Sequence, residues 1–257
     1  MNDIIVIPAR LASSRFPNKI LLSIHGLPMV EHVRRRALMC KNVDEVYIAT
    51  CDYKIKEVLE SFGAKVIMTS KLHENGTSRV AEAIKLIECS NVILLQGDEP
   101  LILPRHIDLM VEEMKKDKNC LAWNATGPII NINELSNPSF VKCSVSNNRI
   151  LYCYRNNPSF ISDPLQLSYI RKMLGLIAFE KEFLISLSKI EQSQIEKIES
   201  IEQMKIIENG FNINSIEFEL SQPSINEPRD EIEVLRYIEN DLEQKVLLDQ
   251  VLNYKSI

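Results

Sequence analysis

Glycine is scarce here, seven residues in 257. Neither G-x-G-x-x-G nor a P-loop occurs, which excludes the common fingerprint for dinucleotides. Six cysteines (Cys40, Cys51, Cys89, Cys120, Cys143 and Cys153) include no C-x-x-C pair. A reduced, cytoplasmic protein with most of them as small buried side chains is expected. No apolar run reaches membrane-spanning length, and the N-terminus enters an apolar segment without a charged leader, so no membrane role is expected. No long basic run occurs and the net charge is −5, which argues against a general nucleic-acid surface. Repeats and low-complexity tracts are also missing. What remains is ordinary globular composition, 45% hydrophobic and 25% charged, enough for one large domain or one with a small appended subdomain.

Residues 4–19, IIVIPARLASSRFPNK, carry the first positive signal. The β-branched run Ile4 to Ile7 reads as a buried strand, and it breaks into a loop holding Arg10, Arg15 and Lys19. Loops at the carboxyl ends of strands in open α/β sheets bind ligands. Three cations within ten residues suit a polyanion, and a triphosphate is the obvious one. Surface loops also carry scattered basic residues, so Arg15 and Lys19 read equally as solvated. The second signal is Leu94 to Pro100, LLQGDEP. An apolar strand ending in Gly97-Asp98-Glu99 puts two carboxylates at the same sheet edge, and hard oxygen ligands suit Mg²⁺. The alternative is that Asp98 caps the next helix and Glu99 is solvated.

Strands and helices alternate through residue 116. Strands are expected at 4–7, 46–49, 66–68 and 92–95. Helices are expected at 28–39, at 54–62 with Gly63 as C-cap, from Thr77 to about 87, and at 104–116. The alternation predicts a doubly wound, mostly parallel α/β sheet. The second half reads differently. Strands are expected at 120–126, 174–179 and 211–218. Phe140 to Val145 and Ile150 to Tyr154 form a hairpin turned at Ser146 to Arg149, whose asparagines suit positive φ. Residues 156–168 read as a mobile loop. Helices are expected at 180–187, at 194–208 ended by Asn209-Gly210, and from Asp230 onward. The break near residue 120 predicts a hairpin and helix insertion in one domain, not two independent domains.

IPARLASSRFPNK, GLPMVEHV, HENGTSRVAEA and LLQGDEPLI, in that order, resemble the CMP-sugar-acid synthetases. The nearest branch is 3-deoxy-manno-octulosonate (Kdo) cytidylyltransferase, and the likeness covers almost the whole chain. Asn137-Pro138 with Val141-Lys142, Leu151 to Arg155, and Ile198 to Asn209 fit too. The resemblance implies a Rossmann-like nucleotidyltransferase domain over 1–257. Within it, 1–119 would be the CTP-binding core, 120–220 a sugar-binding and dimerisation subdomain, and 221–257 a C-terminal segment. It implies that CTP and a 2-keto-3-deoxy sugar acid give a CMP-sugar and pyrophosphate. Arg10 and Lys19, with Arg15 assisting, would hold the triphosphate, and Asp98 would bind Mg²⁺. Pro8, Ala9, His73, Thr77 and Arg79 would lie near the cytidine. Gln96, Arg155, Glu202 and Gln203 would meet the sugar acid, with Arg155 on its carboxylate. By residue pattern alone, Arg155 also reads as a structural ion pair, and Glu202 and Gln203 as an exposed helix face. A homodimer is implied, for lipopolysaccharide or capsule synthesis.

Three segments depart from the family pattern. Asn226 in Ser224 to Asp230 stands where the family has a second metal-binding aspartate; its carbonyl oxygen can ligate without charge, giving the metal pair Asp98 and Asn226, with Glu227 as the alternative to Asn226. Met173 and Ile177 stand where the family has a histidine and a tyrosine in the sugar pocket. Cys51 precedes Asp52 in place of an aspartate pair. A different acid sugar, or a catalytically weak nucleotide-binding homologue, are the alternatives these changes raise.

Overall fold

The computed structural model describes residues 2–13, 15–158 and 163–254. Ser14 of the basic loop, residues 159–162 of the expected 156–168 loop, and 255–257 lie outside the described residues. The chain divides into two compact units, Met1–Val111 with Gln222–Ile257, and Glu112–Ser221.

The first unit begins with β1 (Asp3–Ala9), the short strands β2 (Ser23–Ile24) and β3 (Leu27–Pro28), and α1 (Met29–Leu38). It continues through β4 (Glu45–Thr50), α2 (Tyr53–Glu60), β5 (Lys65–Met68), α3 (Gly76–Ala83), β6 (Asn91–Leu95) and α4 (Pro104–Lys116). Its strands run β5-β4-β1-β6, and every neighbouring pair is parallel. All seven residues of β1 are buried, as a central strand covered on both faces requires. Gly63 takes φ 77° just past α2, as a helix C-cap does. The helix expected from Thr77 starts one residue earlier, because the Asn75 side chain caps it by accepting from Ser78 N. The β2–β3 hairpin was not expected; His25 and Gly26 turn it with φ 46° and 86°.

The second unit contains β7 (Ala122–Gly127), β8 (Lys142–Ser146), β9 (Arg149–Tyr154), α5 (Asp163–Gln166), β10 (Ile170–Glu180), α6 (Lys181–Leu187), α7 (Gln194–Glu199), α8 (Met204–Glu208) and β11 (Asn214–Glu217). Here β8–β9, β10–β7, β10–β8 and β11–β9 pair antiparallel, and β11–β7 pairs parallel. Asn147 and Asn148 take φ 51° and 57° at the β8–β9 turn, which is the left-handed geometry such hairpins need. Glu180, expected as the first helical residue, is the N-cap of α6 and accepts from Glu182 N and Phe183 N.

The single helix expected at 194–208 is two. Ser200 takes the left-handed conformation (φ 54°, ψ 49°) at the end of α7. The Glu208 carboxylate reaches back to Ile195 N and Glu196 N, tying the two short helices together. After the second unit the chain re-enters the first through α9 (Asp230–Asn240) and α10 (Leu242–Leu252). These are separated at Asp241, whose side chain accepts from Gln244 N.

All six cysteines are free; Cys120, Cys143 and Cys153 are buried and the others half-buried. Burial pushes the Cys40 and Cys143 thiols up to about 12. Among the described residues, no helix is long and apolar enough to cross a membrane.

Candidate functional site

Parallel pairing brings the carboxyl ends of β1, β4 and β6 to one edge of the first unit, and the chemistry-bearing residues follow those ends. The loop after β1 is shaped by Asp52, at the end of β4, whose Oδ2 accepts from Leu11 N at 2.8 Å. Asn18 then turns in the left-handed conformation, φ 61°, and its N–H donates to Leu11 O. This turn delivers Lys19 to the end of β6. Lys19 Nζ donates to Asp98 Oδ2 at 2.5 Å and to Ile225 O at 2.9 Å. Ile225 N in turn donates to Asp98 O. The Lys19 and Asp98 side chains are 13% and 23% exposed, so this pair is sheltered but reachable. Gly97 makes the close approach possible: a Cβ there would sit 2.6 Å from Ile20 Cδ1.

Asp98 does not cap the next helix, since its carboxylate is given to Lys19 and α4 starts only at Pro104. Arg10 and Arg15 are exposed. Arg10 Nη1 donates to Glu74 O at 3.0 Å, and Arg15 Nη2 to Asn226 Oδ1 at 3.3 Å. Arg15, Lys19, Asp98 and Asn226 therefore come together through direct contacts or through the Ile225 strap, while Arg10 follows the end of β1 and is held by Glu74 O.

Pro8 and Ala9 are the buried last residues of β1. The first residue of α3, Gly76, lies against the Pro8 ring and the Gln96 amide, 3.2 and 3.4 Å from where its Cβ would be. Gln96 is thus placed beside Pro8 and the start of α3. Thr77 lies in the first turn of α3. Arg79 is buried and holds its own loop, donating to Thr69 Oγ1 at 2.6 Å and to Ser70 O. His73 is fixed between Ser78 Oγ and Glu82 Oε2. Burial works to raise the Glu82 carboxyl, but the bonds from His73 and Ser70 N outweigh it and lower it. His73 and Arg79 aim their polar atoms at protein, so they shape this corner from behind.

No group of three or more His, Cys, Asp or Glu side chains that could hold a metal ion exists among the described residues. A hard divalent cation carried in on phosphates needs only one or two protein oxygens. Asp98 Oδ2 and Asn226 Oδ1 are two such oxygens, on segments that Ile225 joins, and they accept here from Lys19 and Arg15. The donor set fits such an ion, with one formal negative charge in place of two. The Glu227 carboxylate pairs with Arg229 Nη2 at 3.1 Å. Asp230 is turned inward, accepting from Asn226 N and Glu227 N.

In the second unit, Arg155 sends Nε to Glu199 O at 2.8 Å, Nη1 to Pro138 O at 3.0 Å and Nη2 to Ser200 O at 3.2 Å. These three bonds make it a strut between the segment before β8 and the α7–α8 break. Glu202 and Gln203 lie in that break and not on a helix face. Gln203 Nε2 donates to Asn124 Oδ1 at 3.1 Å. Lys142 is buried, donating to Asn137 O and Phe140 O. Burial, and then Arg155, pull its ammonium down to about 8. Ile177 is buried and Met173 half-buried, both on β10.

Sequence reasoning missed the Ile225 carbonyl, which has no side-chain signature, and Asn124. For Asn124 a signal existed: a polar amide inside the apolar strand AWNATG, where a buried polar group is the informative exception.

A sequence profile of the cytidylyltransferases matches residues 4–217. A 3-deoxy-manno-octulosonate cytidylyltransferase of Chlorobium limicola is 36% identical over 233 residues, 90% of this chain and 94% of its own. An 8-amino-3,8-dideoxy-manno-octulosonate cytidylyltransferase of Shewanella frigidimarina is 36% identical over 235 residues, 90% of this chain and 96% of its own. The solved structure of a CMP:2-keto-3-deoxy-manno-octonic acid synthetase complexed with CTP superposes with a TM-score of 0.87 at 34% identity, over 94% of this chain and all of that one. An inositol-1-phosphate CTP transferase from T. maritima reaches a TM-score of 0.66 at 15% identity, a likeness of fold alone. The shared fold is mixed α/β and nucleotidyltransferase-like, a central sheet with helices.

Proposed function

The chain belongs to the cytidylyltransferase family, and from that premise we propose that it joins CTP to a sugar acid of the 3-deoxy-manno-octulosonate class. The anomeric hydroxyl oxygen bonds to the α-phosphorus in line, its proton is lost, and pyrophosphate leaves with the electrons of the broken bridge. Positioning and charge neutralisation are what a protein contributes to such a transfer. The observation that carries the reading is the Lys19–Asp98–Ile225 contact at the strand edge, flanked by Arg10 and Arg15. Those three cations take the triphosphate. Pro8, Ala9, Thr77 and the corner held by His73 and Arg79 take the cytidine.

Asp98 and the Asn226 carbonyl would hold Mg²⁺, which when bound neutralises phosphate charge. Gln96, Arg155, Glu202 and Gln203 take the sugar acid. Arg155, held by three carbonyls, offers its carboxylate a fixed positive charge. The doubly wound, Rossmann-like description with a hairpin insertion belongs to the same reading, and the parallel order of β5, β4, β1 and β6 supports it. A cytoplasmic homodimer goes with it on the strength of the family resemblance.

A second acceptor is favoured by one observation: Kdo and 8-amino relatives match equally, both at 36%. The test is pyrophosphate release with each nucleoside triphosphate against a panel holding Kdo, its 8-amino analogue and other acid sugars, with and without Mg²⁺. Release with CTP and Kdo is expected. Release only with another acceptor moves the reading to that sugar. CTP binding without turnover on any acceptor overturns it in favour of a nucleotide-binding homologue. Asn226→Asp should lower the Mg²⁺ needed for half-maximal rate severalfold, and an unchanged requirement removes Asn226 from the ligand set.

A further inference from the structure

β7 and β10 pair antiparallel, but their register slips. Met173 faces Thr126 and Ile177 faces Asn124, so Leu174, Gly175 and Leu176 stand opposite Ala125 alone. A bulge of this kind takes main-chain groups out of the ladder. Asn124, fully buried, fills the gap with its side chain: Nδ2 donates to Ala125 O at 2.8 Å and to Leu174 O at 3.2 Å. Both partners are carbonyls, so the nitrogen end of the Asn124 amide is fixed at the bulge and the oxygen end faces the other way. That oxygen accepts only donors, and it receives Gln203 Nε2 at 3.1 Å. The Gln203 amide is thereby fixed in turn. Its nitrogen is held by Asn124, its carbonyl oxygen is the opposite end, and the residue is half-buried at the α7–α8 break.

We propose that Asn124 is a positioning residue for the sugar acid, locking the Gln203 amide so that Oε1 is presented as a hydrogen-bond acceptor for a hydroxyl of the substrate. This rests on the proposed cytidylyl transfer to a sugar acid and deepens it. A carbonyl acceptor with a fixed direction discriminates against an analogue lacking the donor, because the site's polar atom is then left unpaired. The bulge therefore has a use beyond its own hydrogen bonds, since it sets the polarity of an amide about eighty residues further along the chain.

The test is a double-mutant cycle on CMP-sugar formation, with the acceptor and CTP varied separately. Asn124→Ala should raise the acceptor KM about tenfold while the CTP KM stays within about twofold. Gln203→Ala should do the same, and the double variant should be no worse than Gln203→Ala alone. Gln203→Glu, which sets a carboxylate oxygen against Asn124 Oδ1, should behave like Gln203→Ala. Additive effects in the cycle, or an Asn124→Ala variant that shifts both KM values alike, overturn the proposal and leave Asn124 a purely structural bridge. Should Asn124→Ala fail to fold by circular dichroism, Asn124→Thr is judged by the same criteria. If the wild-type protein forms no CMP-sugar from CTP and the acid-sugar panel, the functional reading falls and this inference with it. If it turns over and the cycle is additive, this inference alone falls.

Discussion

The two units use their backbones in different ways. In the first, parallel strands end at one edge, and Arg10, Asp52 and Asp98 occur where three of those strands stop. Position there is inherited from topology. In the second, Arg155, Glu202, Gln203 and Asn124 sit at irregularities: a left-handed serine between two short helices and a slipped register between two strands. Position there is made by side chains clasping main-chain carbonyls. Charges offered to a polyanion can sit on loops at strand ends. Distinguishing one polyol acid from another, the role proposed for the second unit, needs groups held in one direction, and there defects in regular structure hold Arg155 and Gln203.

The variant that tests the first half of this contrast most strongly is Asp98→Asn. It keeps the shape and removes the charge that meets Lys19, and it should cut kcat roughly 10²–10³-fold. Pyrophosphate release reads the effect, and a wild-type rate would show that the strand edge is not where the charge matters. On the other side, Arg155→Ala removes three hydrogen bonds from a charged donor to carbonyls. A loss of about 2 kcal/mol in urea unfolding is expected. Arg155→Lys should recover little of it, because an ammonium cannot span three acceptors as the fork does. Full recovery would mean that charge and not geometry holds the break.

The smallest effect is a pH dependence of the same sense in the two units, in an acidic window for the first and an alkaline one for the second. Burial holds buried His32 of the first unit at about 4 against its ordinary 6.5, with Arg36, His25 and Arg35 pushing the same way. The hydrogen bond between its Nε2 and Ile24 O opposes that shift. Between those values the unfolded chain binds the proton and the folded one does not. Stability should therefore fall as pH drops from 6.5 toward 4, by at most about 1.4 kcal/mol per unit. His32→Gln should flatten that slope in urea titrations at pH 5 and 7. Buried Lys142 of the second unit, at about 8 against 10.5, works at the alkaline end. There the unfolded chain keeps the proton longer, so stability should gain as pH rises from 8 toward 10.5.

Legibility in the sequence follows the same division. β1, β4 and β6 were readable because an apolar run ending in Gly, Pro or charge is a local pattern. Arg10, Lys19 and Asp98 followed from those ends. The asparagine turn at 147–148 was readable for a similar reason, since left-handed φ selects a residue type. The helix break at Ser200 was not, because Ile195, Ile198 and Ile201 keep a helical spacing across it. The left-handed Ser200 and the Glu208 carboxylate returning to the start of α7 show that two helices are closed on each other. The slip at β10 was invisible for a deeper reason. Register depends on a partner strand some fifty residues away, and nothing in Leu174-Gly175-Leu176 states it. Contacts made by main-chain atoms, such as the Ile225 carbonyl on Lys19, leave no residue-type trace at all.

The return of the chain through Ile225 bears on how the protein is made. Residues 112–221 are contiguous and emerge from synthesis whole, whereas the first unit is interrupted and recovers its last part only after residue 222. Until then Lys19 has no Ile225 carbonyl to meet, and Arg35 lacks the Val251 carbonyl that it holds at 2.7 Å. Domains tend to fold as units, in the order in which they are synthesised, and closing a contact across some two hundred residues is slow. The segment that begins first is therefore finished last, and the Lys19–Ile225 contact at its strand edge closes only after residue 222 has been made.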